Sequence, residues 1–106
     1  MKRQLVYTPL ALSDLDEIYD FISADNPPRA ISYIDEIRHA CRGLCDTPMM
    51  GVERSDLRSG VRILPLWRRI VIVYELPVGR VDVLRIFSGG RDYAAIISET
   101  ADPSEE

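Results

Sequence analysis

Arg69-Ile70-Val71-Ile72-Val73-Tyr74-Glu75-Leu76-Pro77-Val78-Gly79-Arg80-Val81-Asp82-Val83-Leu84-Arg85-Ile86-Phe87 decides the fold. Two apolar runs rich in β-branched residues flank a Pro-Val-Gly turn, which predicts strands over about 69–76 and 80–87. In the first, Ile70, Ile72, Tyr74 and Leu76 share one face, while Val71 and Val73 share the other. A strand apolar on both faces is covered on both sides. Arg85 falls on the face of Val83 and Phe87, where a half-buried charge needs a partner.

Working outward, residues 61–67 read as a third strand, joined to the hairpin by Arg68-Arg69. Pro65 has no N–H for a ladder, so its strand lies at an edge or carries a bulge there. The stretch from Pro48 to Gly60 reads as a loop. Before it come two helices. Thr8-Pro9 is a hydroxyl N-cap followed by proline at the first helical position, and Ala11, Leu15, Ile18 and Ile22 form an apolar stripe. Asp14, Asp16, Glu17 and Asp20 are assigned to the helix start, on a solvated face. Asp25-Asn26-Pro27-Pro28 separates this helix from a second with its own stripe, Ala30, Ile34, Ile37, Cys41 and Leu44. The short connection predicts an antiparallel helical hairpin. Arg3 to Tyr7 reads as a first strand and Asp92 to Ser98 as a short last helix.

The expected architecture is α+β in the order β-α-α-β-β-β-α, a helical hairpin on a small, mainly antiparallel sheet. Residues 1–98 form one domain and residues 99–106 an acidic, mobile tail. The last helix is too short to cover its face of the sheet, which predicts an open apolar surface beside arginines.

The net charge of −4 hides a pattern. Residues 54–92 hold eight arginines against four acids, while the segments on either side each carry a net −4. A basic block on the sheet suits an acidic or anionic partner. Lys2 is the only lysine, and the acidic total counts against a strongly RNA-binding protein. Cys41 and Cys45 lie one helical turn apart with His39 nearby. Their parallel Cβ vectors disfavour a disulfide, and three ligands on one helix fall short of a structural zinc set. Both read as core residues of a reduced, cytoplasmic protein. The start lacks a secretory apolar region, no run is long enough to span a membrane, and no cofactor motif is present.

The order of elements and three groups of residues resemble the ParE branch of the RelE/ParE toxin superfamily. The first group is Thr8-Pro9-x-Ala11-x-x-Asp14-Leu15-x-x-Ile18. The second is Pro28-x-Ala30-x-x-Tyr33-Ile34-x-x-Ile37, then Leu44-x-x-x-Pro48-x-x-Gly51. The third is Leu57-x-x-Gly60-x-Arg62, Ile72-x-Tyr74 and Val83-Leu84-Arg85-Ile86 leading to Arg91-Asp92. Where many relatives have a histidine and two adjacent arginines after the last strand, this chain has Ser88-Gly89-Gly90-Arg91-Asp92.

The resemblance implies the toxin half of a type II toxin–antitoxin module, a plasmid stabilisation protein that inhibits DNA gyrase without an active site of its own. It also implies neutralisation by a ParD-type antitoxin, whose segment buries apolar side chains on the helical hairpin and sheet edge and sets acids against arginines. Antitoxin contacts are expected at Arg62, Arg85, Trp67, Leu15 and Tyr19, and target contacts at Arg68, Arg69 and Arg91. A RelE-like ribosome-dependent mRNA endonuclease is the alternative. Arg62, Arg85 and Arg91 would then stabilise the phosphate, and Tyr93 would carry the proton. A non-toxic interaction module is the third reading. Each arginine also has a plainer role, with Arg62 and Arg85 pairing across strands with Asp82 or Glu75, and Trp67 serving as a core or edge aromatic.

Overall fold

Thr8 Oγ1 accepts a hydrogen bond from the Ala11 N–H and starts α1, Pro9–Ser23. Asn26 Oδ1 does the same for Arg29 and starts α2, Pro27–Gly43. Each cap satisfies a backbone donor that a helix end leaves open, and each precedes a proline with no such donor. The structure, a computed structural model, describes residues 2–67, 69–89 and 93–99. Its strands are β1, Gln4–Tyr7; β2, Val52–Glu53; β3, Arg62–Leu66; β4, Ile70–Glu75; and β5, Arg80–Ser88. A final helix, α3, spans Tyr93–Glu99. Of the tail expected over residues 99–106, Glu99 is the last residue of α3, and residues 100–106 lie outside the described residues.

The sheet order is β1-β5-β4-β3-β2, antiparallel throughout except for the parallel pair β1 and β5. The chain's first strand thus closes against its last. The two helices lie on one face. Their buried stripe of Ala11, Leu15, Ile18, Ile37, Cys41 and Leu44 meets Ile70, Ile72, Tyr74, Val81, Val83 and Ile86. On the opposite face, Ile97 of α3 packs with Val61, Ile63, Val73 and Phe87. The two-sided reading of β4 holds.

Four local expectations are corrected. β2 lies inside the stretch read as a loop, with Val52 opposite Ile63 and Glu53 opposite Arg62. It pairs no further along β3, so the outer edge is open beside Pro65, where a missing N–H costs least. No acid falls in the first turn of α1, and Asp14 is buried rather than solvated. Val83 and Phe87 do not share a face. The register moves from Val73 opposite Arg85 to Tyr74 opposite Val83, so Leu84 is an extra residue, a β-bulge. The bulge turns Val83 and Ile86 toward the helices and Phe87 toward α3. Finally, the face under α3 is closed, with Val73 and Phe87 at 1 and 2 % exposure. The open apolar surface is elsewhere, beside the helical hairpin.

Gly51 explains the Pro48-x-x-Gly51 spacing. The Tyr74 hydroxyl accepts from the Gly51 N–H and donates to the Pro48 carbonyl, both at 2.8 Å. A Cβ on Gly51 would stand 2.6 Å from that hydroxyl and 2.9 Å from the Ile63 carbonyl oxygen. Only glycine lets the strand backbone come this close to Tyr74. No helix among the described residues is long and apolar enough to cross a membrane.

Candidate functional site: a groove ending in arginines and a tryptophan

The bulge in β5 places a charged pair at the root of the site. Arg85 donates from Nε and Nη2 to the two carboxylate oxygens of Asp14, at 2.8 and 2.9 Å. The Ile86 N–H donates to the same carboxylate at 2.8 Å. β1 has ended three residues earlier along β5, at Tyr7 opposite Val83, so Asp14 takes the place of a missing strand neighbour for Ile86. Hydrogen bonding to Asp14 holds the Arg85 guanidinium even more firmly protonated than usual. Its plane also lies over Phe87, 4.6 Å from the ring centroid. The pair ties α1 to β5 and commits the Nε and Nη2 side of the Arg85 guanidinium to Asp14.

Arg62 is committed too. Its Nε donates to the Gly51 carbonyl at 3.0 Å, and its Nη1 lies 3.7 Å from Glu53. The expected cross-strand pairs with Asp82 or Glu75 do not form. Asp82 is held bidentately by Arg80 on its own strand. Leu15, expected at the antitoxin surface, is instead 3 % exposed inside the core. Tyr19 is exposed on α1, and His39 is exposed on α2. Arg68 and Arg91 lie outside the described residues. Tyr93 opens α3, but its side chain lies outside them as well.

Above the Asp14–Arg85 pair runs a groove of about 560 Å³ between α1, the start of α2 and the adjoining ends of β4 and β5. Ile18, Ile22 and Ile86 form its apolar floor, and Phe21 stands on its rim with 84 % of its surface exposed. Arg29 and Arg69 close one end, and Glu17 stands on the α1 wall. Arg29 is steadied from its own helix, donating to Glu36 at 2.8 Å and to Ser32, with its guanidinium 5.0 Å over the Tyr33 ring. A second, shallower cleft of about 360 Å³ continues from this end, lined by Arg29, Tyr33, Glu36, Trp67 and Arg69. Trp67 stacks at a tilt on Tyr33, ring centroids 5.1 Å apart.

Sequence reasoning named Trp67 and Arg69, which the structure brings together. It missed Phe21, Arg29 and Tyr33 as surface residues. A signal for Phe21 was present: it lies one turn beyond Glu17 on the acidic side of α1, where a core phenylalanine has no place. Arg29, Tyr33 and Glu36 likewise fall one helical turn apart. Among the described residues no group of three or more histidine, cysteine or carboxylate side chains could hold a metal ion. The described lining of the groove thus joins an apolar floor to two arginines at one end.

Comparison with known proteins identifies a family and a similar fold. The family described as "ParE toxin of type II toxin-antitoxin system, parDE" matches residues 5–93. A solved chain from "Chromosomal ParDE TA system from P. aeruginosa" is 27 % identical, with a TM-score of 0.72 over 82 % of this chain and 96 % of that one. No curated protein matches significantly.

Proposed function

The chain belongs to the ParE toxin family of type II toxin–antitoxin systems, and from that premise we propose that it is neutralised by a ParD-type antitoxin held in the Phe21–Arg69 groove and that its cellular target is DNA gyrase. The observation that carries the antitoxin half is the groove itself. It pairs an apolar floor and an exposed phenylalanine with two arginines at one end. An amphipathic antitoxin segment would cover Phe21, fill the space over Ile18, Ile22 and Ile86, and set carboxylates against Arg29 and Arg69. A segment that orders only on binding needs such apolar burial to offset its lost entropy.

The gyrase half rests on the family and on what the site lacks. In the nuclease reading Arg62 and Arg85 would have to stabilise a phosphate, yet both are engaged by the protein's own carbonyl and carboxylate groups. The acidic total charge also counts against ribosome binding.

Induced expression in bacteria, with DNA and protein synthesis followed by label incorporation, tests the target. The expected result is an early fall in DNA synthesis with double-strand breaks. An early fall in translation with mRNA cleavage would replace gyrase poisoning by the nuclease. Titration of the purified chain with a ParD-type antitoxin tests the groove, and Arg29→Glu is expected to weaken binding at least tenfold.

A further inference from the structure

The β3–β4 turn holds an anomaly that the antitoxin groove does not use. Trp67 has φ +55°, and it is the one non-glycine with positive φ among the described residues. Turns needing this conformation normally take glycine or asparagine, because a Cβ crowds the following carbonyl. Here the position carries the chain's single tryptophan, with 51 % of its surface exposed. The core does not require it. Tyr33 fixes its ring from one side, and Arg69 stands beside it with no ion pair among the described residues. Strain kept at an exposed side chain points to a contact made by that side chain.

We propose that the Trp67 corner is where the toxin grips its cellular target, an acidic protein segment that lays an apolar or aromatic side chain on the indole and a carboxylate against Arg69. This deepens the toxin reading and rests on it. Tryptophan, tyrosine and arginine are the side chains that dominate binding energy at protein interfaces. Trp67 and Arg69 lie in the basic block, residues 54–92, of a chain of net charge −4, and Tyr33 and Arg29 join them from α2. That favours a protein partner, since a nucleic acid would demand phosphate neutralisation along a track. The corner shares Arg29, Tyr33 and Arg69 with the groove. An antitoxin seated in the groove therefore occupies part of the target's own footing, and neutralisation is direct competition.

The test is growth arrest on induced expression, with folding of each purified variant checked by thermal melting. Trp67→Asn keeps a residue that tolerates positive φ and deletes the ring. Arg69→Glu reverses the charge. Both are expected to raise colony survival at least tenfold with melting unchanged, and Trp67→Phe and Arg69→Lys to keep most of the arrest. Val78→Ser, at the fully exposed tip of the β4–β5 turn, should arrest growth like the parent. Arrest by Trp67→Asn and Arg69→Glu equal to the parent's would overturn the proposal. An inert parent chain would instead remove the toxin reading beneath it. A labelled single-stranded oligonucleotide should not bind the purified chain saturably. Binding that Trp67→Asn abolishes would make the occupant a nucleic acid and refute the protein partner. With a tryptophan-free antitoxin bound, acrylamide quenching of Trp67 should fall severalfold, and unchanged quenching would refute the competition.

Discussion

Asp14 carries three hydrogen bonds from two residues 71 and 72 positions away in sequence. Its substitution reads out the whole α1–β5 junction. Asp14→Asn leaves the Arg85 guanidinium part-buried without its counter-charge, and a loss of about 3 kcal/mol in urea unfolding is expected. Adding Arg85→Met should recover part of that loss, because removing both partners costs less than removing one. A second residue-scale effect concerns Cys41 and Tyr7. Burial pushes the Cys41 thiol from 9.0 up to about 11, and burial together with the nearby Cys41 pushes the Tyr7 phenol up as well. The thiol is a weak partner, and Tyr7 Oη has no hydrogen bond of ordinary geometry. Both groups are neutral in the fold and ionise more easily when unfolded. The Cys41 contribution to stability is therefore intact below pH 9 and is lost as pH rises through about 11, while the Tyr7 contribution is intact below pH 10 and is lost only at higher pH. Urea unfolding across that window should show the decline, and Cys41→Ala should flatten part of it. Neither effect was visible in the sequence. Asp14 read as one more acid on a solvated helix face, because its partners come from the far end of the chain.

Elements were more legible, for a physical reason. The stripes of α1 and α2 repeat at the helical period, and their caps are local pairs three residues apart, so the sequence holds the information within one turn. β4 and the turn after it were legible in the same way. β2 was not, because two residues give no alternation to count. The bulge at Leu84 was hidden as well, since it is set by the neighbouring strand and by Asp14 rather than by a glycine in β5. The 3-10 turn at Pro48–Met50 and β2 are held by Tyr74 and allowed by Gly51. Gly51→Ala is expected to cost about 2 kcal/mol, through displacement of the Tyr74 ring or the Ile63 backbone. Chemical denaturation checks it, and an unchanged midpoint would show that the segment has room the structure does not give it.

At the scale of the whole molecule, charge and apolar surface meet at one end of the sheet. The basic block announced an anionic partner, but the sequence misplaced its reach. Arg62 and Arg85 face inward to the protein's own acceptors, while Arg29, outside the block, joins Arg69 at the groove. The distinction depends on which strand neighbours exist, and composition does not record that. Phe21 belongs to the same scale, because its exposure is what the proposed antitoxin segment would cover. Burying one phenylalanine contributes about 2 kcal/mol, so Phe21→Ser should weaken antitoxin affinity about thirtyfold, with melting of the free toxin nearly unchanged. Isothermal titration measures it, and equal affinities would move the antitoxin off this groove.

The parallel pairing of β1 with β5 also bears on the order of events during synthesis. The helical hairpin leaves the ribosome first, but the strand that seats it and supplies Arg85 and Ile86 comes among the last third of the chain. Until then Ile18, Ile22 and Ile37 have no floor to rest on. A chain that ends before β5 lacks Ile86, Ser88 and Gly89 of the groove lining and the Arg85 partner of Asp14. The groove and the Asp14–Arg85 junction are thus completed only when translation is nearly finished.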